Sequence, residues 1–358
     1  MKRIAIFINT LETGGAEKQS LILADALSQL YIVTIIVWSP SNSKLYNYYK
    51  ENKNFSFALL NGSFIRKLTS FKALIKKEDF DIIFSYLALT NTLTAFMGKL
   101  LSVRFCVGGI RLATIKPFKL LVQRFLHNNL FDYSISNSYS GSNFAKNNNF
   151  NASKLLVIPN GIEFKNPIQR QTNTNDITII TVARFVDFKD YFTAINSIDY
   201  LINNLCKNVL CKINYTIVGY GILEKSIRQY IESKGLNNII KLVIDPEDIE
   251  PYFRKSDIFL LTSIHEGTSN SVMEALSFSL PAVVTDAGDN EYLVKNGFNG
   301  YVSKPKDFKS IASYLHDLIE SPDKRKTFGL NSHKHLYENY SINNLKKKYV
   351  DFIESKCR

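Results

Sequence analysis

Leu261-Thr-Ser-Ile-His-Glu-Gly-Thr-Ser-Asn-Ser-Val-Met-Glu-Ala275 continues the apolar run Asp257-Ile-Phe-Leu-Leu-Thr262, and the junction of the two decides the fold. The run reads as a buried strand, because a short Ile, Leu and Phe segment is bounded by polar turn residues. Gly267 is expected to allow a tight turn, and Ser269 to N-cap a helix carrying Val272, Met273, Ala275 and Leu276 inward. Glu266 then falls on the loop and Glu274 on the first turns of the helix. Seven residues separate the two carboxylates, yet both face one crevice. Between them the first N–H groups of the helix lack intrahelical acceptors and lie at the positive end of its dipole, which favours a phosphate near Ser269, Asn270 and Ser271. A phosphate flanked by two hydroxyl-binding carboxylates suggests a nucleotide sugar.

The same strand-then-helix alternation extends over the chain. Apolar runs begin near Arg3-Ile8, Tyr31-Val37, Phe55-Leu60, Asp81-Ser85, Arg104-Val107 and Tyr133-Ser136, and resume at Ile177-Val182, Asn214-Gly219, Ile240-Ile244, Asp257-Thr262 and Ala282-Thr285. Each is followed by a longer amphipathic or mixed stretch, which predicts an α/β protein with parallel sheets covered by helices on both faces. The polar stretch from Asn166 to Asp176 reads as a linker between two such halves. A length of 358 residues also favours two cores over one.

Composition narrows the function. Hydrophobic content of 45% supports ordinary globular packing. No stretch approaches the roughly 18 uninterrupted apolar residues of a spanning helix. Met1-Lys-Arg-Ile-Ala-Ile-Phe-Ile-Asn9 is too short for a secretory signal and reads as a first strand, so a cytoplasmic protein is expected. Cys106, Cys206, Cys211 and Cys357 form no C-x2-C pair and read as reduced thiols. Neither a metal-ligand spacing nor a strand-end D-x-D is present, so a divalent metal and a cofactor are not expected. Net charge is +12; residues 1–163 carry 19 Lys and Arg against 9 Asp and Glu, and residues 164–358 carry 25 against 23. The basic first half points to an anionic partner, such as a membrane surface, a nucleic acid or a phosphorylated acceptor.

Further candidates sit at strand ends. Asn9-Thr-Leu-Glu-Thr-Gly-Gly-Ala-Glu17 follows the first strand, where Gly14 and Gly15 permit close approach of a phosphate or sugar; a tight β–α turn is the plainer alternative. Arg184 and Lys189 follow Ile177-Val182 and suit a diphosphate whose charge rises as a glycosyl bond breaks, although basic residues near a helix start are commonly just solvated. Ile217-Val-Gly-Tyr-Gly221 lacks the third glycine of a dinucleotide fingerprint. His265 adjoins Glu266, but successive residues leaving a strand point to opposite sides. His127, His316, His333 and His335 fall in helical patterns.

Taken together, the order and spacing of these landmarks resemble the retaining glycosyltransferases of the GT-B fold, family 4 (glycosyl transferases group 1), with their E-x7-E signature. The resemblance covers nearly the whole chain and includes Gly14-Gly-Ala-Glu17, Ser136-Asn-Ser138, Ile158-Pro-Asn-Gly-Ile162, Ala183-Arg-Phe185 with Lys189, Ile217-Val-Gly-Tyr-Gly221, and Asn296-Gly297 with Asn299-Gly300. It implies two Rossmann-like doubly wound domains facing across a cleft, an acceptor domain over 1–163, a donor domain over 164–340, and a last helix over 341–358 that crosses back. By the same resemblance Glu266 holds sugar hydroxyls, Glu274 the ribose, and Arg184 and Lys189 the leaving diphosphate. Gly15, Gly219, Ser269, Asn270 and Ser271 lie along the donor, while Gly14, Glu17, Arg111 and Asn137 fall on the acceptor side or its loops. The partners implied are a nucleoside diphosphate sugar, with UDP favoured over GDP, and a glycan or polyprenyl-diphosphate-linked acceptor in bacterial surface polysaccharide assembly.

The chain departs from that pattern in two places. Where many members have a histidine after the fourth strand, this chain reads Asp81-Ile-Ile-Phe-Ser-Tyr-Leu-Ala88, leaving Ser85 or Tyr86 as a substitute. Leu242-Val-Ile-Asp-Pro-Glu-Asp248 lacks the glycine often found near the base. An epimerase of the same fold would need further acid and base residues that are not evident, and a nucleic-acid-binding protein would need an RGG run, zinc spacing or single-strand platform, none of which is seen. An anionic membrane is the expected resting place of the basic half. Phe64-Ile-Arg-Lys-Leu-Thr-Ser-Phe-Lys-Ala-Leu-Ile-Lys-Lys77 is expected to carry Phe64, Ile65, Leu68, Phe71 and Leu74 toward it, with Ile115 to Leu126 as a second basic, apolar surface.

Overall fold

A computed structural model describes residues 1–12, 14–40, 44–52, 54–111, 117–164, 176–206 and 212–357. The expected linker, apart from Asp176, lies outside the described residues, as do Cys211 and the Ile115-Lys116 start of the second basic surface. Two compact units are formed, Met1–Gly161 together with Tyr340–Arg358, and Ile162–Asn339.

The first unit is built on seven parallel strands: β1 (Arg3–Ile8), β2 (Ile32–Val37), β3 (Ser56–Leu59), β4 (Ile82–Ser85), β5 (Phe105–Ile110), β6 (Tyr133–Ser136) and β7 (Leu155–Val157), in the order β3-β2-β1-β4-β5-β6-β7. Connecting them are α1 (Gly15–Ser28), α2 (Lys44–Asn52), α3 (Phe64–Glu78), α4 (Ala88–Leu100), α5 (Pro117–Phe125) and α6 (Tyr139–Asn147). Ile4, Ala5, Ile6, Phe7 and Ile8 are all fully buried, as a central strand covered on both faces requires. From β1 the chain works outward to β3 and then returns to place β4 against the other side of β1. That reversal is the topological switch point, beyond whose strand ends open α/β sheets bind ligands.

The second unit repeats the device with β8 (Asp176–Val182), β9 (Lys212–Gly219), β10 (Ile240–Ile244), β11 (Ile258–Leu261), β12 (Ala282–Thr285) and β13 (Gly300–Ser303), ordered β10-β9-β8-β11-β12-β13 and all parallel. Its helices are α7 (Tyr191–Tyr200), α8 (Glu224–Ser233), α9 (Glu250–Arg254), α10 (Asn270–Ser277), α11 (Asn290–Leu293), α12 (Phe308–Glu320) and α13 (Pro322–Tyr340). Here the switch lies between β8 and β11, paired through Ile258 with Ile179 and Phe259 with Ile180.

Two edge strands, β7 and β13, escape the sequence pattern. Leu155–Val157 is three residues long and only partly buried, and Gly300–Ser303 opens on a glycine, so neither has the strong apolar signature of a central strand. The helix α14 (Ile342–Lys356) is N-capped by Ser341, whose hydroxyl accepts from the Asn344 N–H, and it packs on α1 in the first unit. Leu345, Tyr349, Phe352 and Ile353 join the core made by β1, β2, β4 and α1. Phe352 meets the Tyr133 ring edge-on at 5.4 Å and lies 6.3 Å from Phe84.

The helix α3 differs from its expected role. Phe71 and Ile75 are buried, and Leu68 and Leu74 pack on the same core, because this apolar side covers β1, β2 and β4. Of its large apolar side chains, only Phe64 and Ile65 at its start remain exposed. Among the described residues no helix is long and apolar enough to cross a membrane. Cys106 and Cys357 are buried free thiols, and burial pushes both up to about 12, so they remain protonated.

If α14 is an integral part of the first core, Phe352→Ala removes a fully enclosed ring and is expected to cost about 3–5 kcal/mol. Urea unfolding followed by fluorescence measures this, and a loss below about 1 kcal/mol would contradict the packing role.

Candidate functional site

Carboxyl ends of β8 and β11, neighbours at the switch of the second sheet, bring Lys189 and Glu266 together. Val182 ends β8, and after a short turn Asp187–Lys189 forms one turn of 3-10 helix before Asp190 caps α7, with its carboxylate accepting from Thr193. The Lys189 ammonium donates to Glu266 Oε1, which also accepts from the Ser263 hydroxyl at 2.7 Å. Both charged side chains are about nine-tenths buried, at 11% and 10% exposure. Removing either from water is costly, and the pairing with its added hydroxyl bond offsets that cost.

Backbone contacts fix the pair on both sides. Thr262 donates to the carbonyls of Lys189 at 3.2 Å and Asp190 at 2.8 Å, and the Ile264 N–H donates to Phe188 O at 2.7 Å. On the far side Thr285 donates to Ser263 O at 2.5 Å, and the Asp289 N–H to Gly267 O at 3.0 Å. Gly267 does not adopt left-handed backbone; the left-handed glycine beside it is Gly288, at φ 60°, in the loop after β12. Any Cβ at Gly288 would collide with the carbonyls of Glu266 and Gly267, so the glycine is required for the close approach of the two loops.

Beyond Glu266, Ser269 occupies the N-cap of α10 with extended backbone, and Val272, Met273, Ala275 and Leu276 point inward. The Ser269 side chain does not cap the helix. Its hydroxyl pairs with that of Ser271 at 3.2 Å, so the helix N-terminus lacks a side-chain acceptor from its own N-cap. Asn270, Ser271 and Glu274 are partly exposed around this terminus. Arg184 is exposed two residues after β8, and it has no ion-pair partner among the described residues. Gly219 ends β9 against the Ala183 carbonyl, with no room for a Cβ; the Phe185 N–H donates to Tyr220 O at 2.7 Å and holds the same turn. The glycine therefore has a packing reason for being there. Tyr191, beneath the site, donates to Ala183 O at 2.7 Å; burial, and then the nearby Tyr215 and Glu266, hold its hydroxyl well above the usual tyrosine range.

In the first unit Gly14, Gly15 and Glu17 open α1 after β1. The Glu17 carboxylate accepts from Thr10 at 3.3 Å and fills the space where a Gly14 side chain would stand. Arg111 directly follows β5 and Asn137 directly follows β6, and both converge on the Asn160 amide oxygen, at 3.1 Å and 3.3 Å. Neither proposed substitute for the missing histidine is free to act. The Ser85 hydroxyl donates to Asn91 at 2.7 Å inside the core, and the Tyr86 ring is buried beneath the Arg111 guanidinium. His265 is exposed, while His127 is buried between Ser134 and the Asn151 carbonyl, and burial lowers its pKa. Among the described residues no group of three or more His, Cys, Asp or Glu side chains is placed to hold a metal ion.

Residues 163–335 match the family model of glycosyl transferases group 1. The match spans just under half of the chain. The chain is 23% identical over 328 residues to UDP-Gal:alpha-D-GlcNAc-diphosphoundecaprenol alpha-1,3-galactosyltransferase of Escherichia coli, covering 82% of this chain and 81% of that protein. It is 23% identical over 364 residues to a GalNAc-alpha-(1->4)-GalNAc-alpha-(1->3)-diNAcBac-PP-undecaprenol alpha-1,4-N-acetyl-D-galactosaminyltransferase of Campylobacter jejuni, covering 99% of this chain and 98% of the other. Anabaena HepE, solved with UDP and glucose, superposes with a TM-score of 0.85 at 17% identity, covering 99% of this chain and 100% of that one. The likeness establishes the GT-B fold. Within the matched residues Arg184 and Lys189 follow β8, Glu266 follows β11, and Glu274 lies on α10.

Sequence motifs alone did not single out Ser263, Thr262 or Gly288, and Asn160 stood in a quoted motif without a role. Ser263 and Thr262 read as the polar end of a strand, and Gly288 lies 22 residues beyond Glu266, so only folding reveals the contact.

Because Lys189 and Glu266 are each buried against the other, Lys189→Met should destabilise the domain by about 3–5 kcal/mol by leaving a carboxylate unpaired. Adding Glu266→Gln should recover part of that loss. In a double-mutant cycle read by chemical denaturation the coupling should be on the order of 1–3 kcal/mol, and additivity within about 0.5 kcal/mol would refute the pairing.

Proposed function

We propose that the protein is a retaining glycosyltransferase that moves a hexose-type sugar from a UDP-sugar to a hydroxyl of a lipid-linked glycan during bacterial surface polysaccharide assembly. The observation that carries this reading is the Lys189–Glu266 pair at the sheet switch, beside the N-terminus of α10. UDP is supported by the donor named for the Escherichia coli relative and by the UDP held in HepE. The acceptor class is supported by the undecaprenol diphosphate named for both bacterial relatives.

In this reading Arg184 and the N–H groups around Ser269, Asn270 and Ser271 bind the diphosphate, with Lys189 presenting its charge from the ion pair. Glu274 accepts from the ribose hydroxyls. Glu266 keeps Oε2 for a sugar hydroxyl, while Lys189 and Ser263 fix Oε1. As the C1–O bond to the diphosphate breaks, negative charge builds on the leaving oxygen, where preorganised cations are worth most. The acceptor oxygen bonds to C1 on the same face, and its proton passes to the departing phosphate. Arg184 and Lys189 supply the positive charge, and the proposal includes turnover without a divalent cation or other cofactor.

The proposal also seats the first unit on an anionic membrane at the cytoplasmic face. Helix α5 contributes no buried side chain, and Phe118, Leu121 and Phe125 are 77%, 53% and 53% exposed along one stripe. The adjoining α4 exposes Phe96 and Leu100. From Ile82 to Phe131 the sequence has no Asp or Glu, against six Lys and Arg. An apolar stripe in a sequence segment whose only charges are basic complements an anionic leaflet.

Glu274→Ala should mainly raise donor KM, and Glu266→Ala should mainly lower kcat. Replacing Arg184 with Ala should slow transfer on the order of 10²-fold, with EDTA leaving the wild type active. Steady-state assays across UDP-sugars check each point, and wild-type constants in these variants would remove the donor-site assignment. For the membrane, the paired change Phe118→Ser with Phe125→Ser should abolish flotation with anionic vesicles at low salt. Flotation unaffected by the change, or equal with neutral vesicles, would contradict that seat.

A further inference from the structure

At the carboxyl edge of the first sheet, Tyr86, Arg111, Asn137 and Asn160 follow the four adjacent strands β4, β5, β6 and β7. Gly109 sets the geometry: a Cβ there would press on Ser85 O and the Tyr86 backbone, so β5 runs close to the end of β4 and places Arg111 over the Tyr86 ring. The Arg111 guanidinium carbon lies 3.8 Å from that ring's centroid, within stacking distance. One guanidinium nitrogen donates to Asn160 at 3.1 Å, and Nε is buried with no hydrogen-bond partner.

The cluster contains no negative charge to balance this cation. Arg111 has no ion-pair partner among the described residues. Tyr86 and Tyr349 of α14 are buried beside it, and burial raises both hydroxyls above the ordinary tyrosine range although Arg111 pulls them down, so both remain neutral. Asn137 and Asn160 are amides. The Glu17 carboxylate is engaged by Thr10 at the α1 turn. A half-buried guanidinium fixed by a ring on one face and an amide at one edge has already lost its freedom, so it binds an anion with little further ordering.

We propose that Arg111 is a phosphoryl-binding residue of the first unit and that its ligand is the diphosphate of the acceptor. The choice of acceptor over donor rests on the functional reading above, in which Arg184 and Lys189 hold the donor diphosphate. The planar fork matches two phosphate oxygens, and Asn137 and Asn160 set its orientation. Arg111 thereby selects acceptors that carry the charged linkage over neutral glycans.

Inorganic pyrophosphate, titrated by calorimetry into protein saturated with UDP, tests the site. Wild type is expected to bind it, with an affinity that falls as salt is raised, and Arg111→Ala should weaken that binding about tenfold or more while UDP affinity stays unchanged. Arg111→Lys, which keeps the charge without the fork, should fall between the two and serves if the alanine variant does not fold. No pyrophosphate binding in the presence of UDP, or equal binding by wild type and both variants, overturns the proposal. A loss of UDP affinity in Arg111→Ala would move the residue to the donor and equally overturn it. If wild type fails to bind UDP at all, the donor reading falls, whereas the Arg111-dependent pyrophosphate site is still decided by the same titration without UDP.

Discussion

The ion pair between Lys189 and Glu266 closes a gap of 77 residues and ties the two strands that flank the switch of the second sheet. Everything around it serves that closure. Thr262 locks the turn that carries Lys189, Ser263 shares the Glu266 oxygen, and Gly288 clears the space in which the Glu266 loop meets the loop after β12. A buried pair of this kind contributes little net stability, because desolvation consumes most of its attraction. Its value is placement, since a carboxylate and an ammonium that hold each other fix one rotamer for both side chains.

Both units use the same solution to one topological problem. A doubly wound sheet must reverse its winding once, and the reversal parts the loops above two neighbouring strands. In the second unit the loops after β8 and β11 carry Lys189 and Glu266. In the first, those after β1 and β4 carry Glu17 and Tyr86, with Arg111 alongside after β5. The two edges are chemically unlike. The second presents a paired cation and anion beside a helix terminus, and the first a guanidinium that lies on a tyrosine ring and has no ion-pair partner among the described residues.

The C-terminal segment joins the first core by plain hydrophobic packing. Leu345, Tyr349, Phe352 and Ile353 recur on the side of α14 facing β4, β6 and α1, and the Phe84 and Tyr133 rings receive them. Tyr349 then connects that packing to chemistry, because the residue that helps fill the core also stands beside Arg111.

Sequence alone determined the class of fold and the places that Glu266 and Glu274 take along it. Continuous apolar runs such as Ile4 to Ile8 mean strands covered on both faces, and Glu266 and Glu274 bracket a helix start whatever surrounds them. Short edge strands were not legible, since Leu155–Val157 and Gly300–Ser303 are held by their neighbours' hydrogen bonds more than by their own side chains. Tertiary structure decided which side chains meet. A helical stripe of Leu68, Phe71 and Leu74 among lysines looks the same whether it faces lipid or a core, and only the sheet beneath α3 settles it. The serine that ends β4 and the tyrosine after it look equally available until Asn91 takes one and Arg111 covers the other. The physical reason is common to these cases: periodicity fixes the direction of a side chain within its own element, whereas its partner comes from strands and loops dozens of residues away.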